Sequence, residues 1–393
     1  MLKKTYKNNG FTIVELLVVI VVIGILAAIT AVSYTGITKK ATTAVLQSDT
    51  ANASQQLEIF KATNDAYPAT IDCSIANSNT NLCLKSSNGS IFTYQVPQTN
   101  LPKSYALYTA NSSNSQIVMK TDQSSISNAS KICPTNFVLV PGSATYGTSD
   151  FCVMKYEARI QGIDSGYQTY SMGYVAESRP TGGAWTNINR DQAISAASTA
   201  CTGCHLITNA EWMTIAQNIA NVASNWSSGI IGNGYMFEGI GYSSSYTMDA
   251  SSDDSDGYYN TTYYTYPNSR TTWDFQQKRT LVLSNGQTIW DFSGSNEEWV
   301  NGMATGISET VSSEWPDVSA TVISNLTSQL GVSPSPAGSG INGSNNWVDG
   351  NGIGTLMLYP GTKGILRGFH GVYGFHSYDT DNTSSLISFR AAQ

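Results

Sequence analysis

Charge is what this chain of 393 residues has least of: 12% of it is Asp, Glu, Lys or Arg, against about 25% in ordinary soluble domains. Acidic residues outnumber basic ones 27 to 20, for a net charge of −7. Nucleic-acid binding depends on a basic footprint, so no nucleic-acid partner is expected. Histidine is scarcer still, with only His205, His370 and His376, whereas metal sites usually need three or four ligands. No Gly-x-Ser-x-Gly, His-Glu-x-x-His or phosphate-binding glycine loop occurs, which removes common hydrolase, zinc-peptidase and NTPase signatures. No catalytic residue is named, and the chain reads as a non-enzyme. Proline is missing before Pro68, so nothing ahead of it forbids one long helix.

What the sequence does have is an uncharged run, Leu16 to Val32, headed by the lone carboxylate Glu15 and a leader carrying Lys3, Lys4 and Lys7. An acid near the bilayer costs roughly 2.5–3.5 kcal/mol on insertion scales, so it is a functional hypothesis by default. The basic leader favours the cytoplasm. Phe11 to about Val32 is long enough to span a bilayer, which takes about 20 residues. A secretory signal is cut after its apolar stretch; here the candidate cut precedes it, so the stretch is retained. Gly10-Phe11-Thr12-Ile13-Val14-Glu15 resembles the type IV pilin signature. That resemblance implies cleavage after Gly10 by a prepilin peptidase and methylation of Phe11. It also implies that Glu15 pairs with the Phe11 ammonium of a neighbouring subunit, and a buried charge is tolerated when paired. The expected partners are other pilin subunits. The expected location is the inner membrane before assembly and a cell-surface pilus afterwards.

From Phe11 the helical pattern runs to about Ala62, roughly 78 Å at 1.5 Å per residue. Leu46, Ala53, Leu57 and Phe60 form one apolar stripe that predicts packing on a small sheet. Asn64-Asp65-Ala66-Tyr67-Pro68 breaks the helix and looks like the segment that follows the long helix in many bacterial pilins. Ile91–Val96, Ser104–Thr109 and Gln116–Lys120 read as short strands. Residues 122–131 are a polar connector without periodicity.

Residues 132–393 resemble the formylglycine-generating-enzyme (sulfatase-modifying factor) family, a variant of the C-type-lectin-like fold. The segments that carry this are Phe137–Gly142 with Phe151–Glu157, His205–Trp212, Ile289–Trp299, and Leu366-Arg367-Gly368 with Ser388-Phe389-Arg390. Thr208 and Glu211 are spaced as a capping box, and Asn285-Gly286 marks a hairpin between Arg279–Leu283 and Gln287–Phe292. Members that oxidise a cysteine carry a cysteine pair after the Arg-Gly-Gly segment; the stretch Arg367–His376 has none. In that family the Glu at the place of Glu298 binds calcium, so calcium at Glu298 is expected, although Ser295 replaces the family's Asn. Asp249, Asp253, Asp254 and Asp256 lack the bidentate Glu of an EF-hand and read as solvated loop charges.

Six cysteines allow fifteen pairings; the local set Cys73–Cys83, Cys133–Cys152 and Cys201–Cys204 is favoured. Cys201-Thr-Gly-Cys204-His205 also fits the c-type haem pattern, but it occurs once, and a local disulfide explains it more cheaply. Tyr258, Tyr259, Tyr263, Tyr264 and Tyr266 are either strand packing or recognition surface. Phe369, His370, Val372, Tyr373, Phe375, His376, Tyr378 and Asp379 read as a ligand-contacting aromatic loop between Arg367 and Arg390. Its layout is similar to the variable region of retroelement-diversified proteins.

The expected fold is α+β: a long N-terminal pilin helix on a small antiparallel sheet, then an irregular C-type-lectin-like domain. The divisions are leader 1–10, transmembrane or filament-core helix 11–34, pilin globular part 35–121, linker 122–131 and binding domain 132–393. The function expected is a minor or tip pilus subunit that presents the domain to a surface protein or glycan. Two alternatives stand beside it: a membrane-anchored enzyme of the sulfatase-modifying type, and a pseudopilin of a secretion system.

Overall fold

The computed structural model describes residues 13–96, 102–111, 117–122, 127–129, 131–164, 170–239, 242–243, 246–247, 249–260, 278–294, 296–336, 352–368 and 371–393. Helix α1 spans Ile13–Asn64, 52 residues or about 78 Å. It runs two residues past the expected end because Asp65 is the residue that turns left-handed, at φ 57°, a common way to stop a helix. The backbone then leaves the helix axis, and Tyr67 N–H donates to Pro102 O at 2.8 Å. Leu46, Ala53, Leu57 and Phe60 are all buried, on the face the apolar spacing selects. Thr50 follows them inward, its hydroxyl 2.6 Å from that of Thr109.

That face rests on four antiparallel strands in chain order: β1 (Ser90–Gln95), β2 (Ala106–Asn111), β3 (Ile117–Thr121) and β4 (Ser127–Ala129). The first three lie within two residues of their sequence-predicted positions. β4 falls inside the stretch expected to be a structureless connector, where Asn128 pairs with Val118. Cys73–Cys83 closes the loop after α1, and Cys133–Cys152 clips the start of the next domain.

Beyond residue 131 the chain is β-rich and irregular. It holds β5 (Phe137–Val140), β6 (Phe151–Met154), β7 (Ala158–Ile160), β8 (Ala176–Ser178), α2 (Arg190–Ala197), β9 (His205–Leu206) and α3 (Asn209–Ala220). Then come β10 (Tyr242–Ser243), β11 (Tyr246–Thr247), β12 (Thr280–Val282), β13 (Thr288–Trp290), β14 (Glu297–Ile307), β15 (Val311–Glu314) and α4 (Ala320–Leu330). The last strands are β16 (Thr355–Leu358), β17 (Gly361–Arg367), β18 (Phe375–Tyr378), β19 (Ile387–Phe389) and β20 (Ala391–Ala392). The largest sheet has the order β15-β16-β18-β17-β14-β19, and a second runs β5-β6-β20-β9.

Tryptophans anchor this core, and four of them, Trp212, Trp226, Trp290 and Trp299, donate their indole N–H to a partner, as buried indoles usually do. Trp212 donates to Val372 O at 2.8 Å and stacks on Phe292 at 4.0 Å. Trp299 donates to Ile188 O at 2.9 Å. The Thr208–Glu211 capping box forms at the start of α3. The β12–β13 hairpin also forms, but through a three-residue loop in which only Gly286 is left-handed, φ 81°. Such a loop needs one left-handed residue rather than the two of a tight turn.

The two halves meet through polar side chains. Gln95 Nε2 donates to Cys133 O at 2.6 Å, and Ser104 Oγ donates to Ser252 O at 2.8 Å. Gln287 Nε2 reaches Met119 Sδ at 3.2 Å, while its Oε1 accepts from Leu139 N–H.

Candidate assembly helix and head-domain surface

Eight consecutive apolar side chains, Leu16 to Ile23, stand 46–59% exposed around α1. Burying a Val, Leu or Ile fully is worth about 1.5–3 kcal/mol, so this end of the helix has strong reason to find a covering partner. Ile13, Val14 and Glu15 belong to the same helix, their side chains lying outside the described set. Gly10 and Phe11 lie outside the described residues altogether. Among the described residues no helix is long and apolar enough to cross a membrane.

In the head domain, the stretch read as an aromatic loop is corrected by the fold. Phe375–Tyr378 is β18, an interior strand of the large sheet, hydrogen-bonded to β17 and β16. Val372, Tyr373 and Phe375 are buried, so their ring and methyl faces pack the core. Phe369 and His370 fall outside the described residues, as do Tyr263, Tyr264 and Tyr266. What reaches the surface is the far end of the strand. Half-buried Tyr378 and exposed Asp379 sit beside His376, whose Nδ1 is 2.7 Å from Glu297 Oε1. Tyr359, absent from the sequence reading, completes the group: its ring lies 5.4 Å from His376 and 6.5 Å from Tyr378. Lys363 pairs with Asp379 alongside. Tyr359 lies on the neighbouring chain segment just past β16, so only strand pairing reveals it. Tyr258 and Tyr259 are exposed elsewhere, at 50% and 41%.

The same domain holds a buried set of charges. Arg279 grips Asp291 with two parallel bonds of 2.7 and 2.8 Å, and neither side chain is exposed. Arg390 Nε donates to Glu298 Oε1 at 2.8 Å. Glu157 Oε1 accepts from Asn296 Nδ2 at 3.0 Å and Ser388 Oγ at 2.9 Å. Burial pushes the Glu298 carboxyl up to about 8; Glu157 and Asp291 add to this and Arg390 opposes it. Glu157 is raised for the same leading reason, and burial lowers Arg159 to about 10.

Glu298 was expected to bind calcium, and its neighbour in the fold is a guanidinium. Among the described residues no group of three or more His, Cys, Asp or Glu side chains could hold a metal ion. The acidic loop is likewise more than solvated charge. Asp254 takes Lys155 at 2.7 Å and the Trp290 indole at 2.9 Å, and Asp249 caps Gly182 N–H at 2.8 Å. Sequence spacing gives no hint of these partners, which lie 36 to 99 residues away. In the Cys201–Cys204 turn the two sulfurs are bonded to each other.

Residues 5–31 match the prokaryotic N-terminal methylation motif, and that stretch contains Gly10, Phe11, Glu15 and all eight exposed apolar residues. The N-terminus is prepilin-like. Over 65 residues the chain is 35% identical to the type II secretion system core protein G of Pectobacterium carotovorum subsp. carotovorum, covering 16% of this chain and 42% of that protein. Over 69 residues it is 36% identical to the type II secretion system core protein G of Escherichia coli (strain K12), covering 18% of this chain and 48% of that one. The chain thus spans less than half the length of these curated relatives.

Proposed function

We propose that the protein is a subunit of a type IV filament system in which α1 docks against other subunits and the domain beyond residue 131 faces outward. The observation that carries this is the exposed Leu16–Ile23 run lying inside the methylation-motif match. In this reading the chain is cut after Gly10, Phe11 is methylated, and Glu15 meets the Phe11 ammonium of the next subunit. An unpaired carboxylate in an apolar bundle is costly, so assembly selects the register that pairs it. Glu15→Gln is expected to lower incorporation into sheared filaments at least tenfold while membrane levels hold; undiminished incorporation overturns the reading.

The outward domain is a recognition module in this proposal. It resembles the C-type-lectin-like scaffold of the sulfatase-modifying family, and the capped α3, the 284–286 hairpin and the buried Arg367 and Arg390 support that likeness. Its contact face is Tyr359, Tyr378 and Asp379 over the buried His376, because aromatic side chains give large amphipathic contact area at low entropic cost. A pseudopilin of a secretion system is the second reading, favoured by the likeness to core protein G. Glycan-array and host-protein binding by whole filaments separates the two. Binding that Tyr359→Ala and Tyr378→Ala each weaken about tenfold supports display, and consistent silence supports the pseudopilin.

A further inference from the structure

The three disulfides differ in what they enclose. Cys201–Cys204 joins residues 3 apart in sequence, against 10 for Cys73–Cys83 and 19 for Cys133–Cys152. The entropic gain from a cross-link grows with the loop it closes, so this bridge contributes least to holding the fold. Its two sulfurs also differ in access. Cys204 is 7% exposed within the head core, whereas Cys201 is half-buried and the intervening Thr202 and Gly203 are exposed. An incoming reactant therefore meets the Cys201 side of the bond. Cys133 and Cys152, by contrast, are both buried.

A titratable side chain adjoins the other cysteine in sequence. His205 follows Cys204 directly, its Nε2 3.0 Å from both carboxylate oxygens of Glu211. The bond to Glu211 is the main cause that raises its pKa, and a bond to the Gly203 backbone adds to it. When protonated, His205 is a positive charge one residue from Cys204; a neighbouring cation stabilises a thiolate, and a stabilised thiolate leaves a disulfide faster. Exposed bridges are, as a class, the labile ones. The Cys73–Cys83 bridge is exposed too, but no histidine adjoins either cysteine.

We propose that Cys201–Cys204 is a thiol–disulfide exchange site that takes the thiolate of an accessible dithiol. The donor thiolate attacks Cys201 Sγ and forms a mixed disulfide. The Cys201–Cys204 bond breaks, and Cys204 Sγ leaves with the electron pair as a thiolate one residue from His205. The donor's second thiolate then attacks the donor sulfur of the mixed disulfide and expels Cys201 as a thiolate. Two electrons pass to the protein, both cysteines take up protons from solvent, and the donor ends as a disulfide. The turn so opened is the one that Gln393 holds through Thr202 O at 3.0 Å, next to the β9–β20 pairing.

The test uses the full oxidised chain carrying Cys73→Ser and Cys83→Ser, so that the other exposed bridge contributes nothing. Reduced glutathione is added at pH 7, and acid-quenched samples are alkylated and mapped by mass spectrometry. The expected adduct is on Cys201. Dithiothreitol is expected to open the pair at least tenfold faster than Cys133–Cys152, with near-UV dichroism retained. An adduct on Cys204, or opening no faster than Cys133–Cys152, overturns the proposal. A thioredoxin-type dithiol protein that outpaces dithiothreitol at equal thiolate concentration identifies a protein donor; the reverse order identifies a small thiol.

Discussion

Glu298 and Arg390 lie 2.8 Å apart and share a site without water access. Burial raises Glu298 from the ordinary 4.5 to about 8. Between those values the folded chain holds a proton that the unfolded chain has lost, so stability falls as pH rises through that window. The thermal midpoint is expected to drop from pH 5 to pH 8.5, by an amount on the order of a few kcal/mol in stability, and Glu298→Gln should flatten the slope. The Arg279–Asp291 pair gives a sharper expectation. Asp291→Ala takes the carboxylate from a buried guanidinium, a change that costs about 3–5 kcal/mol, to be read from urea denaturation. Glu298 stood out in the sequence because its flanking tryptophan and glycine pattern resembles a known segment. Its partner was not, because Arg390 lies 92 residues further on, and only the parallel pairing of β14 with β19 brings the two together.

Elements differed in how plainly they could be read. The stripe of Leu46, Ala53, Leu57 and Phe60 was legible because one face of α1 is buried and the spacing records it. Leu57→Ala removes the middle of that stripe and should cost about 2–5 kcal/mol, seen as earlier melting of the β1–β4 sheet in hydrogen exchange. β18 was misread for the opposite reason. A strand covered on both faces shows no alternation, and its glycine-spaced aromatics pass for a loop. At α3 the local chemistry is self-contained: Thr208 Oγ1 accepts from Glu211 N–H at 3.2 Å, and Glu211 Oε2 accepts from Thr208 N–H at 2.9 Å. Thr208→Ala is expected to cost about 1 kcal/mol. Burial opposes ionisation of Glu211, but His205 and Thr208 together hold its pKa below the usual value. The cap's contribution is therefore complete above about pH 4.5 and is lost as pH falls through the lowered pKa.

At the scale of the whole molecule, polar side chains join the β1–β4 sheet to the chain beyond residue 131. Gln287 is the busiest of them, satisfying Leu139 N–H and reaching Met119. Gln287→Ala strands a buried donor, which costs about 1–3 kcal/mol; exchange should quicken at β3 and β5 before the rest of the chain responds. None of this was visible beforehand, because hydrogen bonds 148 and 168 residues apart leave no periodic mark. The α+β outline was visible, since it rests on local periodicity and turn chemistry.

If the chain is mounted on a fibre, as proposed, it is pulled, and Cys133–Cys152 sets the path of that pull. Tension arriving from β4 crosses the covalent bridge to β6 before it can load β5. The hairpin between them then lies off the direct covalent path, which reaches the β6–β20 pairing first. In a reducing environment the shunt disappears, and the same force would instead unzip β5 from β6 one rung at a time.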